Sequence, residues 1–382
     1  MKIGIMSDCH LGVSKFRKQL SNSQNMYQTI NNNAYLEAIN DFINEKVKIV
    51  IIAGDLFDSP NPSVQSITIA LSGLAKLNEA RIQTFILGGN HDYSQRDNVS
   101  GYHPFNLFSI SKFKYVKCIN NGYLNTNFTE KKIRKKGDVI NLIDLTMLPY
   151  KSLKSEFFKE IYKGSLKEKR DKYIGKRNIN ICNGENEIAD ICSILTIHGY
   201  VDFDETSEME DYALPLEVAR NYDLIIAGHV HIPNLIETKS TTILTPGSLM
   251  PSNLSGESTQ SPAIYIYDTN VKEISKKIEL NSPPKIHEIV TSDINDILET
   301  IINKTNETKQ FNDLYFIKYN GKIEKVDEAL YKQASQNTLN LSIQTNEQLE
   351  NVKIEKVSDF WSFIKQDYPN YYGEFKELLK GD

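Results

Sequence analysis

Ten residues of this chain could do metal and proton chemistry together. They are Asp8 and His10 in SDCHLG, Asp55 and Asp58 in GDLFD, Asn90, His91 and Asp92 in GGNHD, His198 in TIHGY, and His229 and His231 in GHVH. Five of the seven histidines fall in these strings, so they act as a set rather than as scattered core or surface side chains. Mixed imidazole, carboxylate and carboxamide groups are the ligand chemistry of borderline divalent metals. In DxH and HxH on extended backbone the two side chains point to the same side, so both can reach one site. Two ions about 3.5–4 Å apart need a shared carboxylate, and an Asp directly behind a buried strand, such as Asp55, can bridge them. Such a pair would clamp a phosphate and generate a hydroxide. Gly54, Gly89 and Gly228 are expected to let the backbone turn sharply beside the ions.

The elements that must position these residues are short apolar strands. Residues 2–7 and 48–53 (VKIVII) are β-branched-rich runs followed at once by polar loops, the pattern of strands buried on both faces. Between them AYLEAINDFINEKV spaces its apolar residues at helical intervals, and residues 63–80 do the same before RIQTFIL. The order is β-α-β-α-β. Further apolar runs at 138–148, 191–197 and 222–227, then AIYIYD and a charged strand, continue a layered α/β domain that closes near 282.

The chain of 382 residues exceeds the size of one common core, which implies a large domain with smaller additions. After Pro283-Pro284 the composition turns polar, with a strand-like LYFIKYN, and 283–350 is expected to form a small α+β domain. From 351 to 382, Val357, Phe360, Trp361 and Ile364 fall on one helical stripe of an amphipathic tail. Residues 151–177 carry ten Lys or Arg against four Asp or Glu, and KKIRKK at 131–136 is a second basic cluster. Either a solvated surface or a phosphate-contacting one accounts for them. With 40% hydrophobic and 24% charged residues the chain is globular rather than disordered, and a net charge of −5 requires any nucleic-acid contact to be local. Four scattered cysteines without a CxxC pair suggest reduced thiols. The start MKIGIMSDCH has no signal-peptide core and no apolar run is long enough to span a bilayer, so a soluble, intracellular protein is expected.

The ordered set of motifs over about residues 1–250 resembles the calcineurin-like metallophosphoesterase superfamily. SDCHLG, GDLFDSPNPS, GGNHD, and TPGSL followed by GE at 256–257 resemble most the SbcD-type nucleases, counterparts of the "meiotic recombination eleven" nuclease. This resemblance implies a layered metallophosphoesterase β-sandwich flanked by helices over 1–282, a DNA-capping domain over 283–350, and a tail over 351–382 that docks on an SMC-like ATPase. It also implies that Asp8, His10 and His231 hold one ion and Asn90, His198 and His229 the other, with Asp55 shared and manganese as the metal. The ligand set by itself would also accept zinc or iron. His91 would protonate the leaving oxygen, and the Asp58 carboxylate would orient it and raise its pKa. Asp92 would stand behind the ligands or simply hold a turn. The expected protein is a homodimeric, cytoplasmic, manganese-dependent exo- and endonuclease acting on duplex ends and single strands of DNA, in the host cytoplasm if phage-encoded.

A phosphatase or a small-nucleotide phosphodiesterase is the alternative. Related phosphatases usually place arginine after GDxxD and before GNH, where this chain has Ser59 and a glycine. A non-catalytic scaffold would have lost a ligand, and none of the seven metal positions is substituted.

Overall fold

A computed structural model of the chain describes residues 1–16, 18–20, 24–93, 104–120, 124–132, 139–150, 187–202, 213–215, 221–251, 261–308 and 313–345. The basic insertion at 151–177, residues 133–136 of KKIRKK and the tail at 351–382 lie outside these residues. The chain divides into two units, Met1–Pro284 and Lys285–Asp382.

The first unit begins with β1 (Lys2–Met6), α1 (Met26–Asn44), β2 (Ile49–Ile52), α2 (Val64–Glu79) and β3 (Gln83–Leu87). These are followed by α3 (Asn106–Ile110), β4 (Val116–Ile119), β5 (Leu124–Lys132), β6 (Val139–Leu148) and β7 (Glu187–His198). Next come β8 (Tyr200–Asp202), β9 (Ala213–Pro215), β10 (Leu224–Gly228), β11 (Asn234–Glu237), β12 (Thr242–Thr245), β13 (Ala263–Asp268) and β14 (Glu273–Glu279). One six-stranded sheet runs β14-β13-β1-β2-β3-β4 and the other β11-β12-β10-β7-β6-β5. A two-stranded pair, β8-β9, forms a separate sheet whose Leu214 packs with Leu195, Ile197 and Ile225 of the second.

The two sheets share one core. Ile3, Ile5, Ile49, Ile51, Phe85 and Leu87 of the first pack with Ile143, Leu145, Met147, Ile194, Leu224 and Ile226 of the second. Each fully buried aliphatic side chain of this kind contributes about 1.5–3 kcal/mol. The opposite side of the second sheet has its own apolar layer, including Leu195, Ile197, Ile225 and Ile243. Strands covered on both faces must be apolar throughout, which is why IVII and LIIAG read as unbroken runs. In β1 the exception is Gly4, where a Cβ would come within 2.5 Å of Phe42 on α1. A hydrogen in place of a side chain lets the helix lie close on the strand.

Helix α1 starts at Met26, ahead of Ala34, where the apolar spacing first becomes visible. The Asn25 side chain caps it by accepting from Gln28 N–H at 3.0 Å. Its early turns read as polar because they contain Asn31 and Asn32, both of which are buried. Ser63 caps α2 in the same way, accepting from Ser66 N–H at 3.1 Å. The hairpin strand β5, LNTNFTEKK, is invisible to the apolar pattern because it lies at the edge of its sheet and carries polar residues.

The second unit contains β15 (Ile286–Thr291), α4 (Ile294–Thr308), β16 (Leu314–Tyr319), α5 (Glu328–Gln336) and β17 (Asn340–Thr345). Its three strands are parallel, and each parallel step needs a crossover, which α4 and α5 supply. Ile294, Leu298 and Ile301 of α4 pack on Tyr315, Ile317 and Leu341 of the strands. Among the described residues no helix is long and apolar enough to cross a membrane.

Candidate dimetal site

Five strand ends converge at one edge of the sandwich. Directly after β1 and β2, two loops run side by side. Asp8 N–H donates to Gly54 O at 3.1 Å, His10 N–H to Asp55 O at 3.0 Å, and Leu11 N–H to Leu56 O at 2.9 Å. On α1, the Asn31 side-chain amide donates to Cys9 O at 3.1 Å and His10 O at 2.9 Å, which pins the first loop from below. The backbone is held in the left-handed region at Asp8 (φ 50°), His10 (φ 43°), Asp55 (φ 48°) and His229 (φ 93°). Asp and His tolerate this region better than most side chains, and strain of about 1–3 kcal/mol per residue persists only where the surroundings over-determine it.

Asp8, His10 and His231 present ligand atoms that all lie within 4.8 Å of one another, as do those of Asp8, Asp55 and His198. His10 Nε2 faces His231 Nε2 at 3.0 Å. Two neutral acceptor nitrogens repel at that distance, so a proton or a cation must sit between them. On the other side, Asn90 Oδ1 meets His198 Nε2 at 3.0 Å and His229 Nδ1 at 2.9 Å. Asp55 stands between the groups, and a single oxygen, Oδ2, lies 3.7 Å from His10 Nε2 and 3.4 Å from His198 Nε2. Its other oxygen accepts the His91 backbone N–H at 2.8 Å. The residues therefore fit two cations sharing one carboxylate. The seven residues expected as ligands all come together here. A further grouping of His10, Asp55 and His91 also lies within 4.8 Å, so His91 stands within ligand reach.

The electrostatics suit cations. Burial would raise the Asp55 pKa, but the imidazoles of His198, His10 and His91 outweigh it and hold the carboxylate below its ordinary range. Asp8 is pushed up to about 6, chiefly by burial. His198 would be lowered by burial, yet Asp55 and Asp8 lift it to about 9. His229 and His231 are lowered to about 4 by burial and by neighbouring histidines, which leaves their lone pairs available to a metal. His10 is raised, because nearby Asp58, Asp55 and Asp8 overcome the effect of burial.

Asp58 departs from expectation. His91 Nδ1 lies 3.0 Å from the backbone carbonyl of Asp58 rather than from its carboxylate. The carboxylate instead lies 3.3 Å from His10 Nδ1, an ion-pair distance without hydrogen-bond alignment. The expected carboxylate–imidazole dyad is thus not formed, since a carbonyl already takes the His91 ring N–H. Asp92 holds a turn: its two oxygens accept from Phe57 N–H and Gly89 N–H, both at 3.0 Å, tying the loop after β2 to the loop after β3.

The glycines also work differently from expectation. Only Gly54 of the three has positive φ (102°). Gly89 and Gly228 are required by space, because a Cβ would sit 2.1 Å from Asp55 Oδ1 and 1.9 Å from Ala53 O respectively.

Two further side chains at the site, Ser7 of SDCHLG and Tyr200 of TIHGY, were not among the expected site residues. Ser7 donates to Asp8 Oδ2 from the end of β1. The Tyr200 hydroxyl lies 2.9 Å from His229 Nε2. A signal for Tyr200 was present, since it lies two residues beyond His198 in TIHGY.

The calcineurin-like phosphoesterase family model matches residues 1–233, and the chain belongs to that family. Solved structures similar to it include a protein of Thermus thermophilus, at 10% identity over 73% of this chain and 98% of that one, TM-score 0.37. Another is an archaeal phosphodiesterase, at 17% identity over 73% and 100%, TM-score 0.33. A dimetal phosphatase from Danio rerio matches at 13% identity over 69% and 91%, TM-score 0.37. The chain is thus a metallophosphoesterase, with a residue set able to hold two metal ions.

Proposed function

We propose that this metallophosphoesterase is a manganese-dependent DNA nuclease that hydrolyses phosphodiester bonds. The observation that carries the diester reading is at positions 59 and 88. A monoester carries more charge than a diester, and the phosphatases that resemble this core clamp it with arginines after GDxxD and before GNH. Here the first position is Ser59 and the second Gly88, neither of which carries a cation. DNA as the diester rests on the motif resemblance to SbcD-type nucleases.

In this reading Asp8, His10 and His231 hold one ion, Asn90, His198 and His229 the other, and Asp55 both. Bound divalent ions would polarise the phosphoryl oxygen and supply a water of lowered pKa. The chain's own residues do the rest. His91 keeps Nδ1–H on the Asp58 carbonyl, so that Nε2 delivers a proton to the leaving oxygen and the ring ends neutral. Asp58 contributes through its main chain, while its carboxylate steadies His10.

The same proposal includes a homodimer and cytoplasmic action on duplex ends and single strands. It also includes an SMC-like ATPase that docks on residues 351–382, where Trp361 is the only tryptophan of the chain. Deleting those residues should abolish co-purification with the ATPase while leaving single-strand cleavage; a truncated protein that still binds the ATPase would sink the docking role.

The test of the activity is manganese-dependent digestion of end-labelled linear DNA, with bis-nitrophenyl phosphate and nitrophenyl phosphate as diester and monoester controls. DNA and the small diester should be cut and the monoester spared. Turnover of the monoester above that of DNA would instead favour the phosphatase alternative, and turnover of small diesters alone a nucleotide phosphodiesterase.

A further inference from the structure

Histidine ligands are held by whatever their second ring nitrogen meets, and the two histidines beside Asn90 differ in that respect. His198 Nδ1 lies 2.9 Å from the Ala53 carbonyl. A carbonyl only accepts, so Nδ1 must carry hydrogen, and in the neutral ring Nε2 always turns a lone pair toward the site. His229 is oriented the other way round, with Nδ1 on Asn90 Oδ1 and Nε2 on the Tyr200 hydroxyl at 2.9 Å. A phenol both donates and accepts.

We infer that Tyr200 is a positioning residue that lets His229 exchange tautomers as a metal arrives. Without metal, Nδ1–H donates to Asn90 Oδ1 and Nε2 accepts from the Tyr200 O–H. To ligate through Nδ1, His229 must move that hydrogen to Nε2, where it can donate only to an acceptor. Tyr200 becomes that acceptor by rotating its hydroxyl, so neither state leaves a ring nitrogen unpaired. No bond is made or broken except the N–H that is exchanged through water.

Other contacts leave His229 little freedom to adapt by moving. Its backbone N–H donates to both oxygens of Asp8 at 3.1 Å, and its φ is 93°. The Tyr200 ring meets the imidazole edge-on, with centroids 4.9 Å apart at 75°. The ring packing and the hydroxyl are therefore separable by substitution. Strand β8 carries Tyr200 into place immediately beyond β7, and Gly199 N–H donates to Gly228 O at 3.2 Å, which joins the two histidine-bearing segments.

The inference rests on His229 being a ligand, so His229→Ala is measured beside Tyr200→Phe. Calorimetric titration of Mn²⁺ into the metal-free full chain should show two binding events in the wild type. Tyr200→Phe should weaken one of them by about 10- to 100-fold, the usual cost of losing a group that holds a ligand, and leave the other unchanged. Its metal-free melting temperature should fall only slightly, as for the loss of a single hydrogen bond, because the ring packing stays. Long-range ¹H–¹⁵N spectra of ¹⁵N-histidine protein should show His229 as Nδ1–H without metal and as Nε2–H with Zn²⁺. Wild-type affinity at both sites in Tyr200→Phe, or one unchanged tautomer in both states, would overturn the role of Tyr200. Full metal binding by His229→Ala would instead overturn the ligand assignment beneath it.

Discussion

Acidity should act on this site in opposite senses with and without metal. In the metal-free protein His198 has its pKa lifted to about 9 and Asp8 to about 6. A histidine with a raised folded pKa contributes stability that is complete below its unfolded value, near 6.5, and is lost as pH climbs through about 9. A carboxyl with a raised folded pKa works in the same direction at lower pH, its contribution being lost between its unfolded value, near 3.8, and about 6. Through His198 the metal-free protein should therefore lose stability between about pH 6.5 and 9.

Metal binding reverses the slope, because His198 must shed its proton before Nε2 can ligate. With a pKa of about 9, roughly 1% of His198 is deprotonated at pH 7 and roughly 10% at pH 8, so apparent affinity should rise about tenfold, or ~1.4 kcal/mol. Below pH 6 the Asp8 proton adds a second factor of about ten per unit. His229 and His231, at about 4, contribute nothing in this range. Calorimetry in buffers of different ionisation enthalpy at pH 7 and 8 would count the protons, and thermal unfolding with and without Mn²⁺ would give the two slopes. About one proton released at pH 7 is expected. An affinity that is flat from pH 7 to 8 with no proton release would refute the charge assignment of His198.

The same geometry fixes the outcome of three substitutions. Asp55→Ala should remove both metal equivalents and with them DNA cleavage, since one oxygen faces both ligand groups; mass spectrometry finding two tightly held metals in the mutant would contradict the bridge. His91→Ala should keep its metal while turnover falls by about 10²- to 10⁴-fold. Loss of metal in that mutant would make His91 a ligand, as its grouping with His10 and Asp55 permits. Asn31→Ala leaves the Cys9 and His10 carbonyls without their buried donor, so urea unfolding of the metal-free protein should show a loss of about 1–3 kcal/mol. Metal affinity should fall with it as the loop relaxes.

The candidate site was legible in the sequence because buried strands are apolar to their last residue, and the residues immediately beyond them must face the sheet edge. Met6, Ile52, Leu87, His198 and Gly228 end or adjoin such strands, and the expected ligands lie on or just beyond each of them. Local spacing also settled the β-α-β-α-β order. The partner of each strand was a different matter. Periodicity carries no information about neighbours, so the sorting of β1–β4 with β13 and β14 into one sheet, and of β5–β7 with β10–β12 into the other, emerged only from packing across a shared core. Polar elements such as β5 and the first turns of α1 were hidden for a related reason: one lies at a sheet edge, and the other buries asparagines for their hydrogen bonds. The fine chemistry was tertiary as well. Which oxygen of Asp55 faces both ligand groups, whether Asp58 serves His91 by carboxylate or carbonyl, and which group meets His229 Nε2 all depend on segments distant in the chain meeting at hydrogen-bond range, and no residue type or spacing encodes that distance.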